Sequence, residues 1–95
     1  MQPGVRVNFG NKALPSLSQI ETQVRQRTGL TCEVTQPAKG CNGSSIRFLE
    51  GRRVEVVWLD QAVIVCYNRR LGYFEWCVVA TLVELGGEWT GGPIP

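Results

Sequence analysis

Hydrophobic and polar positions alternate near the start of the chain. Val5, Val7 and Phe9 occupy every second position, with Arg6 and Asn8 between them. Because successive side chains of a strand point to opposite faces, this alternation predicts a short strand with one apolar side. We expect this strand at the edge of a sheet.

A helical pattern follows over residues 16–28. Its apolar positions recur at the spacing of one helix face: Leu17, Ile20 and Val24. Ser16 with Gln19 three residues later fits a capping box, in which each residue satisfies a backbone N–H of the first turn. Gly29 supplies a residue that can adopt the left-handed conformation at the end. The segment predicts an amphipathic helix.

Four segments with strand patterns come next, at 31–35, 45–48, 53–59 and 62–67. Asp60 and Gln61 separate the last two, which is short enough for a tight hairpin, although the favoured glycine is missing. Asn42-Gly43 and Glu50-Gly51 are further turn signals. Short connections between consecutive strands predict an antiparallel meander.

The last apolar segment, residues 73–85, fits two structures. Its length and helically spaced apolar residues favour a helix, with Glu75 in the first turn and Gly86-Gly87 as the stop. The alternative is a further meander strand that pairs back through residues 68–72. We predict the helix.

These elements define an α+β fold. We expect an antiparallel meander of about four strands, with the N-terminal strand as a candidate fifth, and an N-terminal and a C-terminal helix packed on one face. The length of 95 residues suits one domain. Residues 1–4 and 87–95 are expected to be flexible, because the tail is rich in glycine and proline.

The hairpin of residues 53–67 is more apolar than a sheet with one wet face requires, because hydrophobic residues point to both faces. Either the N-terminal strand or the tail covers the second face, or a homodimer or partner does so. The predicted helix at 73–85 shows a similar excess. The candidate interface residues are Val57, Trp58, Val63, Val65, Tyr67 and Trp76.

Composition limits the chemistry. The chain contains no histidine, which excludes catalytic triads and metal sites built on that residue within one chain. The carboxylates are scattered, so we expect no enzyme, no cofactor and no metal site. The cysteines lack a close C-x-x-C pair. We interpret Cys32, Cys66 and Cys77 as core residues, whereas Cys41 in the polar loop 36–45 is a candidate reactive thiol or, in an oxidising setting, a disulfide partner of Cys32.

Charge is more informative in its distribution than in its total. The formal net charge is only +2, yet eight of the ten basic residues are arginines. A hairpin turning at Asp60-Gln61 brings two arginine pairs to one end of the sheet: Arg52, Arg53, Arg69 and Arg70. Four guanidiniums there can hold a phosphate, an acidic peptide or a nucleic-acid backbone. The alternative is neutralisation by Glu50, Glu55 and Glu75 as ordinary surface pairs.

Three functional hypotheses remain. The first is a non-enzymatic cytoplasmic domain that forms a homodimer and binds an acidic protein partner or anion through the four arginines. The cytoplasm is expected because the start lacks an apolar signal core, and no apolar run approaches the roughly 18 residues of a membrane span. The second is a nucleic-acid-associated protein that uses the same arginines. The third is a small-ligand carrier or enzyme with a pocket near Trp58, Tyr67, Tyr73 and Trp76.

Overall fold

Five strands and two helices make up the described chain, which comprises residues 3–35, 43–48 and 51–91 of a computed structural model. The strands are β1 (Gly4–Asn8), β2 (Cys32–Thr35), β3 (Gly43–Phe48), β4 (Arg53–Leu59) and β5 (Ala62–Cys66). The helices are α1 (Leu17–Thr28) and α2 (Tyr73–Glu84). The predicted α+β fold is confirmed, and the ambiguous segment at 73–85 forms a helix.

All neighbouring strands are antiparallel, in the order β1-β5-β4-β3-β2. Strands β2 to β5 form the predicted meander. Strand β1 pairs with β5, so the N-terminal strand is the fifth strand and lies at an edge, as predicted. This pairing places β5 inside the sheet, beside β4 on one side and β1 on the other, but it does not cover the second face of the β4–β5 hairpin.

The β4–β5 hairpin has the register that the sequence predicts. Leu59 pairs with Ala62 and Glu55 pairs with Cys66, so the chain turns at Asp60-Gln61. Asp60 adopts φ 55°, a left-handed conformation that aspartate tolerates better than most residues. A turn without glycine is therefore possible here.

Both helices cover one face of the sheet, and the core lies between them and that face. The most deeply buried side chains there, all at most 4% exposed, include Val5, Val7, Ile46, Val54, Val56, Val63 and Val65 from the strands and Ile20, Val24, Val78 and Leu82 from the helices. The alternation of the strands places every second residue on the opposite side. We call that opposite side the open face, since no described helix packs against it.

The helix ends follow local chemistry. The Ser16 hydroxyl accepts a hydrogen bond from the Gln19 N–H at 3.1 Å, and the Gln19 side chain accepts one from the Ser16 N–H at 2.8 Å. This pair is the predicted capping box of α1, and Gly29 ends the helix at φ 71°. At the start of α2, the Gly72 N–H donates to the Glu75 carboxylate at 2.8 Å.

The segment after α2 is attached to the sheet. Glu88 and Asn8 exchange two backbone hydrogen bonds of 2.7 and 3.0 Å, and the Trp89 ring meets the Trp76 ring edge-on at 5.9 Å between centroids. Gly87 lies so close to Val7 that an added Cβ would overlap its side chain. The sequence predicts flexibility from residue 87 onward, whereas residues 87–89 make specific contacts; residues 92–95 lie outside the described chain.

No helix among the described residues is long and apolar enough to cross a membrane.

Candidate anion-binding site

The two arginine pairs meet at one end of the sheet. They line a depression of about 340 Å³ whose walls are Arg52, Arg53, Asn68, Arg69, Arg70 and Glu75. We call these four arginines the arginine cluster. The β4–β5 pairing ends at Glu55 and Cys66, and the segments that continue from both strands bring the two arginine pairs to this depression. The predicted juxtaposition is therefore present.

Local structure holds the cluster in place from three sides. The Arg52 carbonyl accepts a hydrogen bond from the Phe48 N–H at 2.8 Å, which fixes the start of β4 against β3. Residues 68–70 leave the end of β5 and turn toward Gly72, the N-cap of α2. The N-terminus of α2, with its partial positive charge, therefore lies next to the same depression.

One carboxylate contacts the cluster. The Glu75 side chain, 8% exposed, lies 3.7 Å from an Arg52 guanidinium nitrogen. The Arg52 guanidinium also lies 5.8 Å from the centre of the Phe74 ring, within the range of a cation–π contact. Arg52 is thus held by Glu75 and Phe74, while the other three arginines of the cluster make no ion pair with any carboxylate in the described residues.

Among the described residues, the arginine cluster is therefore only partly neutralised by the glutamates that the sequence suggested. Of the three glutamates considered, Glu75 contacts the cluster, Glu55 lies on the open face within β4, and Glu50 lies outside the described residues. Arg53, Arg69 and Arg70 are all exposed. Positive charge consequently exceeds negative charge in and around this depression.

Sequence reasoning missed one more arginine nearby. Arg47 of β3 pairs directly with Arg53 of β4, and Glu33 of β2 pairs with Arg47 on its other side. The Gly51 turn, closed by a 2.9 Å bond from the Gly51 N–H to the Phe48 carbonyl, sets this register. The Glu50-Gly51 turn signal could have revealed it, because a turn centred there brings residues 47 and 53 together.

The candidate interface residues do not form one surface. Val63 and Val65 are 0% exposed beneath the helices, so these two are core residues, and the assignment to an interface is corrected. Trp58, Tyr67 and Trp76 are half-buried and pack against the same core. When both faces of a strand are apolar, the alternation of its residues does not reveal which face the helices cover. The predicted interface therefore contains residues from both faces.

Only Val57 of the predicted interface lies on the open face, where it is half-buried. Trp58 instead donates its indole N–H to the Pro15 carbonyl at 2.9 Å. Of the aromatic residues proposed to surround a pocket, Tyr73 is 65% exposed at the start of α2, and Trp76 packs against Trp89.

The cysteines occupy two environments. Cys32 and Cys77 are 1% and 6% exposed and belong to the core, as predicted. Cys66 is half-buried on the open face, which corrects its interpretation as a core residue, and Cys41 lies outside the described residues. Burial raises the pKa of the Cys32 thiol; burial and then the Glu55 carboxylate raise that of Cys66. Within the described chain, no three Cys, Asp or Glu side chains converge to hold a metal ion.

The chain matches no protein-family model, no curated protein and no solved structure. The arguments about function therefore depend on the geometry of the arginine cluster and of the open face.

Proposed function

We propose that this chain is a non-catalytic binding domain that holds an acidic segment of a protein partner in the arginine cluster. The observation that carries the proposal is the depression itself, where four arginines converge and a single described carboxylate, Glu75, contacts them. The same proposal places the domain in the cytoplasm, where the thiols of the described cysteines stay reduced.

The chemistry of arginine favours this ligand. A guanidinium presents a planar set of N–H donors that can hold both oxygens of a carboxylate, and it keeps its charge at any physiological pH. Three guanidiniums of the arginine cluster form no ion pair with a described carboxylate. Together they could bind several neighbouring acidic side chains of one segment. The partner's carboxylates would complete the pairs that Arg53, Arg69 and Arg70 lack.

The position of the cluster favours a discrete acidic segment over a nucleic-acid backbone. A backbone needs a positive track along many phosphates, and its affinity depends on their number. Here the cluster occupies one end of the sheet, and Glu33 and Glu55 interrupt the positive charge along the open face. Nucleic-acid binding is therefore the alternative that the experiment must distinguish.

The test is fluorescence anisotropy with a labelled peptide of ten residues rich in glutamate. A glutamine-rich peptide of the same length and a single-stranded oligonucleotide serve as competing probes. We expect the acidic peptide to bind, and to bind more weakly as salt is added. The double variant Arg69→Gln, Arg70→Gln should lower this affinity at least about tenfold, which corresponds to the loss of one or two charge-assisted hydrogen bonds.

Arg6→Gln is the control, because Arg6 is exposed on β1, away from the depression; it removes one positive charge where the double variant removes two, so the two effects are compared per charge removed. This control variant should bind the acidic peptide with an affinity within about twofold of the unmodified protein. If only net charge mattered, each charge removed would weaken binding by the same factor, wherever it lay. Equal weakening per charge by control and cluster variants would refute a specific site. Preference for the oligonucleotide would favour the nucleic-acid alternative.

Glu75 offers a second test with the opposite sign. Glu75→Gln keeps a side-chain oxygen for the Gly72 N–H but removes the charge that faces Arg52. We therefore expect the acidic peptide to bind about three- to tenfold more tightly, because the fourth guanidinium becomes available to it. Unchanged or weaker binding in the same anisotropy assay would show that Arg52 does not take part.

A further inference from the structure

The open face carries a short apolar strip. Its larger apolar residues are Val57, Leu59 and Ile64, and Gly4 on β1 adds no side chain beside them. Ser45 and Ala62 lie on the same side of the sheet but are only 8% and 0% exposed. Leu59 is 47% exposed, one of two exposed large hydrophobic residues in the described chain. Gly4 keeps the surface low, because an added Cβ would come within 2.5 Å of the Ile64 side chain.

An apolar strip on a sheet face suits another sheet. Two sheets that pack face to face lie only about 10 Å apart, so their contacting side chains must be small or interdigitate. The apolar strip here runs across the two central strands, from Val57 and Leu59 on β4 to Ile64 on β5. The occupant is therefore expected to present a comparable apolar strip.

Two opposite charges flank the strip. Arg6 on β1 pairs with Ile64, and Glu55 on β4 pairs with Cys66, so the two charged residues lie on opposite sides of β5 and two residues apart along it. Both are exposed, and neither forms an ion pair with a described residue. At two strand spacings, roughly 10 Å, they are too far apart to pair within one chain.

We infer that a second copy of this chain covers the open face. The two copies are related by a two-fold axis that passes over β5 between Ile64 and Cys66. Such an axis lies in the interface and exchanges the positions of Arg6 and Glu55, so each Arg6 meets the Glu55 of the other copy. With ordinary strand spacings, the same operation brings Val57, Leu59 and Ile64 of one copy over the apolar strip of the other. The strands of the two sheets then cross at a steep angle, close to the orthogonal class of sheet packing.

The size of the face sets the expected strength. Five strands of four to seven residues span roughly 24 by 20 Å, so the whole open face has a projected area of about 500 Å², of which a second copy crossing at a steep angle covers a part. An interface of at most this size is at or below the lower end of those that are specific. We therefore expect a dimer that dissociates in the micromolar range and leaves the arginine cluster at the far end of the sheet uncovered.

Analytical ultracentrifugation from about 1 µM to 1 mM tests the dimer. The mass should rise with concentration from 10.5 kDa toward twice that value. Leu59→Glu should weaken the dimer more than about tenfold, because it places a charge within the apolar strip. Tyr73→Glu is the matched control: it removes the other exposed large hydrophobic residue, which lies on α2, and should leave the association unchanged.

Charge reversal identifies the two-fold arrangement. Arg6→Glu and Glu55→Arg should each weaken association about tenfold or more, because each places like charges opposite one another in the dimer. The double variant restores the opposite charges and should recover association to within about threefold of the unmodified protein. Circular dichroism of each variant confirms that it is folded, and recovery by the double variant cannot result from unfolding.

Three results would overturn the inference. The first is a monomer at every concentration. The second is a dimer that Leu59→Glu does not weaken, because the contact then uses another surface. The third is a double charge reversal no stronger than the single variants. None of these measurements depends on acidic ligands, so they leave the proposed function of the arginine cluster to its own test.

Discussion

The guanidinium of Arg27 connects the two helices. It donates to the Cys77 carbonyl at 3.0 Å and to the Thr81 hydroxyl at 3.3 Å, and that hydroxyl in turn donates to the Cys77 carbonyl at 2.8 Å. Thr81 is 0% exposed, so its hydroxyl needs these partners. The side chain of an exposed residue on α1 therefore completes the hydrogen bonding of a buried group on α2.

Replacing Arg27 with methionine should lower the free energy of unfolding by about 1–3 kcal/mol. The change keeps a long apolar stem but removes the donors that reach α2. Chemical denaturation measures the effect, with Gln26→Met as the control at the neighbouring exposed position. A loss of equal size in the control would show that the inter-helix bonds contribute nothing.

The buried Cys32 thiol makes the free energy of unfolding depend on pH in the alkaline range. Its pKa is raised above the ordinary 9.0 in the folded chain by burial, so the unfolded chain loses this proton first as pH increases. The stability that the buried thiol contributes is therefore complete below about pH 8, and it declines as the pH rises through 9 and above. Cys66, raised in the same direction, adds to the decline.

Urea denaturation between pH 7.5 and 10 measures this decline. Cys32→Ala removes the titrating group and leaves a small cavity, so the variant should be less stable at neutral pH yet lose less stability as pH rises. Parallel pH curves for the variant and the unmodified protein would contradict the argument.

Residues that depend on local register were predictable from the sequence, and residues that depend on distant packing were not. Arg52 and Arg69 line the same depression because a two-residue turn brings the two ends of the β4–β5 hairpin together. The burial of Val63 and Val65, and the position of Cys66 on the open face, depend on which side of β5 the helices occupy. Apolar alternation on both faces gives no information on that choice.

At the level of elements, the ends of α1 are encoded locally. Gly29 ends the helix at φ 71°, and its N–H donates to the Arg25 carbonyl at 2.9 Å. A side chain at this backbone conformation is strained. The sequence therefore contains both signals that place this helix, the capping box at its start and the glycine at its end.

Gly29→Ala should lower the free energy of unfolding by about 1 kcal/mol, because alanine adopts the left-handed conformation less readily. No atom lies within 4 Å of an added Cβ, so the effect reports backbone strain and not a clash. Gly29→Asn is the matched comparison and should recover part of the loss, since asparagine tolerates this conformation. Thermal or chemical denaturation decides, and an alanine variant as stable as the original would refute the strain.

The pairing of elements that are distant in sequence was harder to predict. Strand β1 reaches β5 across more than fifty residues, and the segment containing Glu88 reaches β1 across eighty. The sequence of neither segment specifies which strand it pairs with, because backbone pairing is possible with any exposed strand edge. The tail was expected to be flexible on composition, but Gly87 allows it to approach Val7 and Phe9 closely, and Trp89 packs on Trp76.

At the level of the whole molecule, the two proposed surfaces are separate. The arginine cluster lies at the end of the sheet beside the start of α2, whereas the apolar strip lies on the open face nearer the Asp60-Gln61 turn. Arg53 and Arg47 are open-face residues at the cluster end, beyond the positions that a second copy is expected to cover.

The two activities should therefore separate by mutation. The double variant Arg69→Gln, Arg70→Gln should dimerise like the unmodified protein, and Leu59→Glu should bind the acidic peptide with an affinity within about twofold. Ultracentrifugation and anisotropy on the same preparations measure both properties. Loss of both activities in either variant would show that dimerisation and binding are coupled.

The two outer strands carry a different consequence. Asn8 on β1 already exchanges backbone hydrogen bonds with Glu88, and the Cys32 carbonyl on β2 accepts one from the Arg25 guanidinium. An outer strand with unoccupied N–H and C=O groups is a template onto which further chains add without limit, as in amyloid. Since Asn8 on one outer strand and the Cys32 carbonyl on the other are occupied from within the chain, lateral growth at those positions is disfavoured, and the proposed association through the open face is expected to end at two copies.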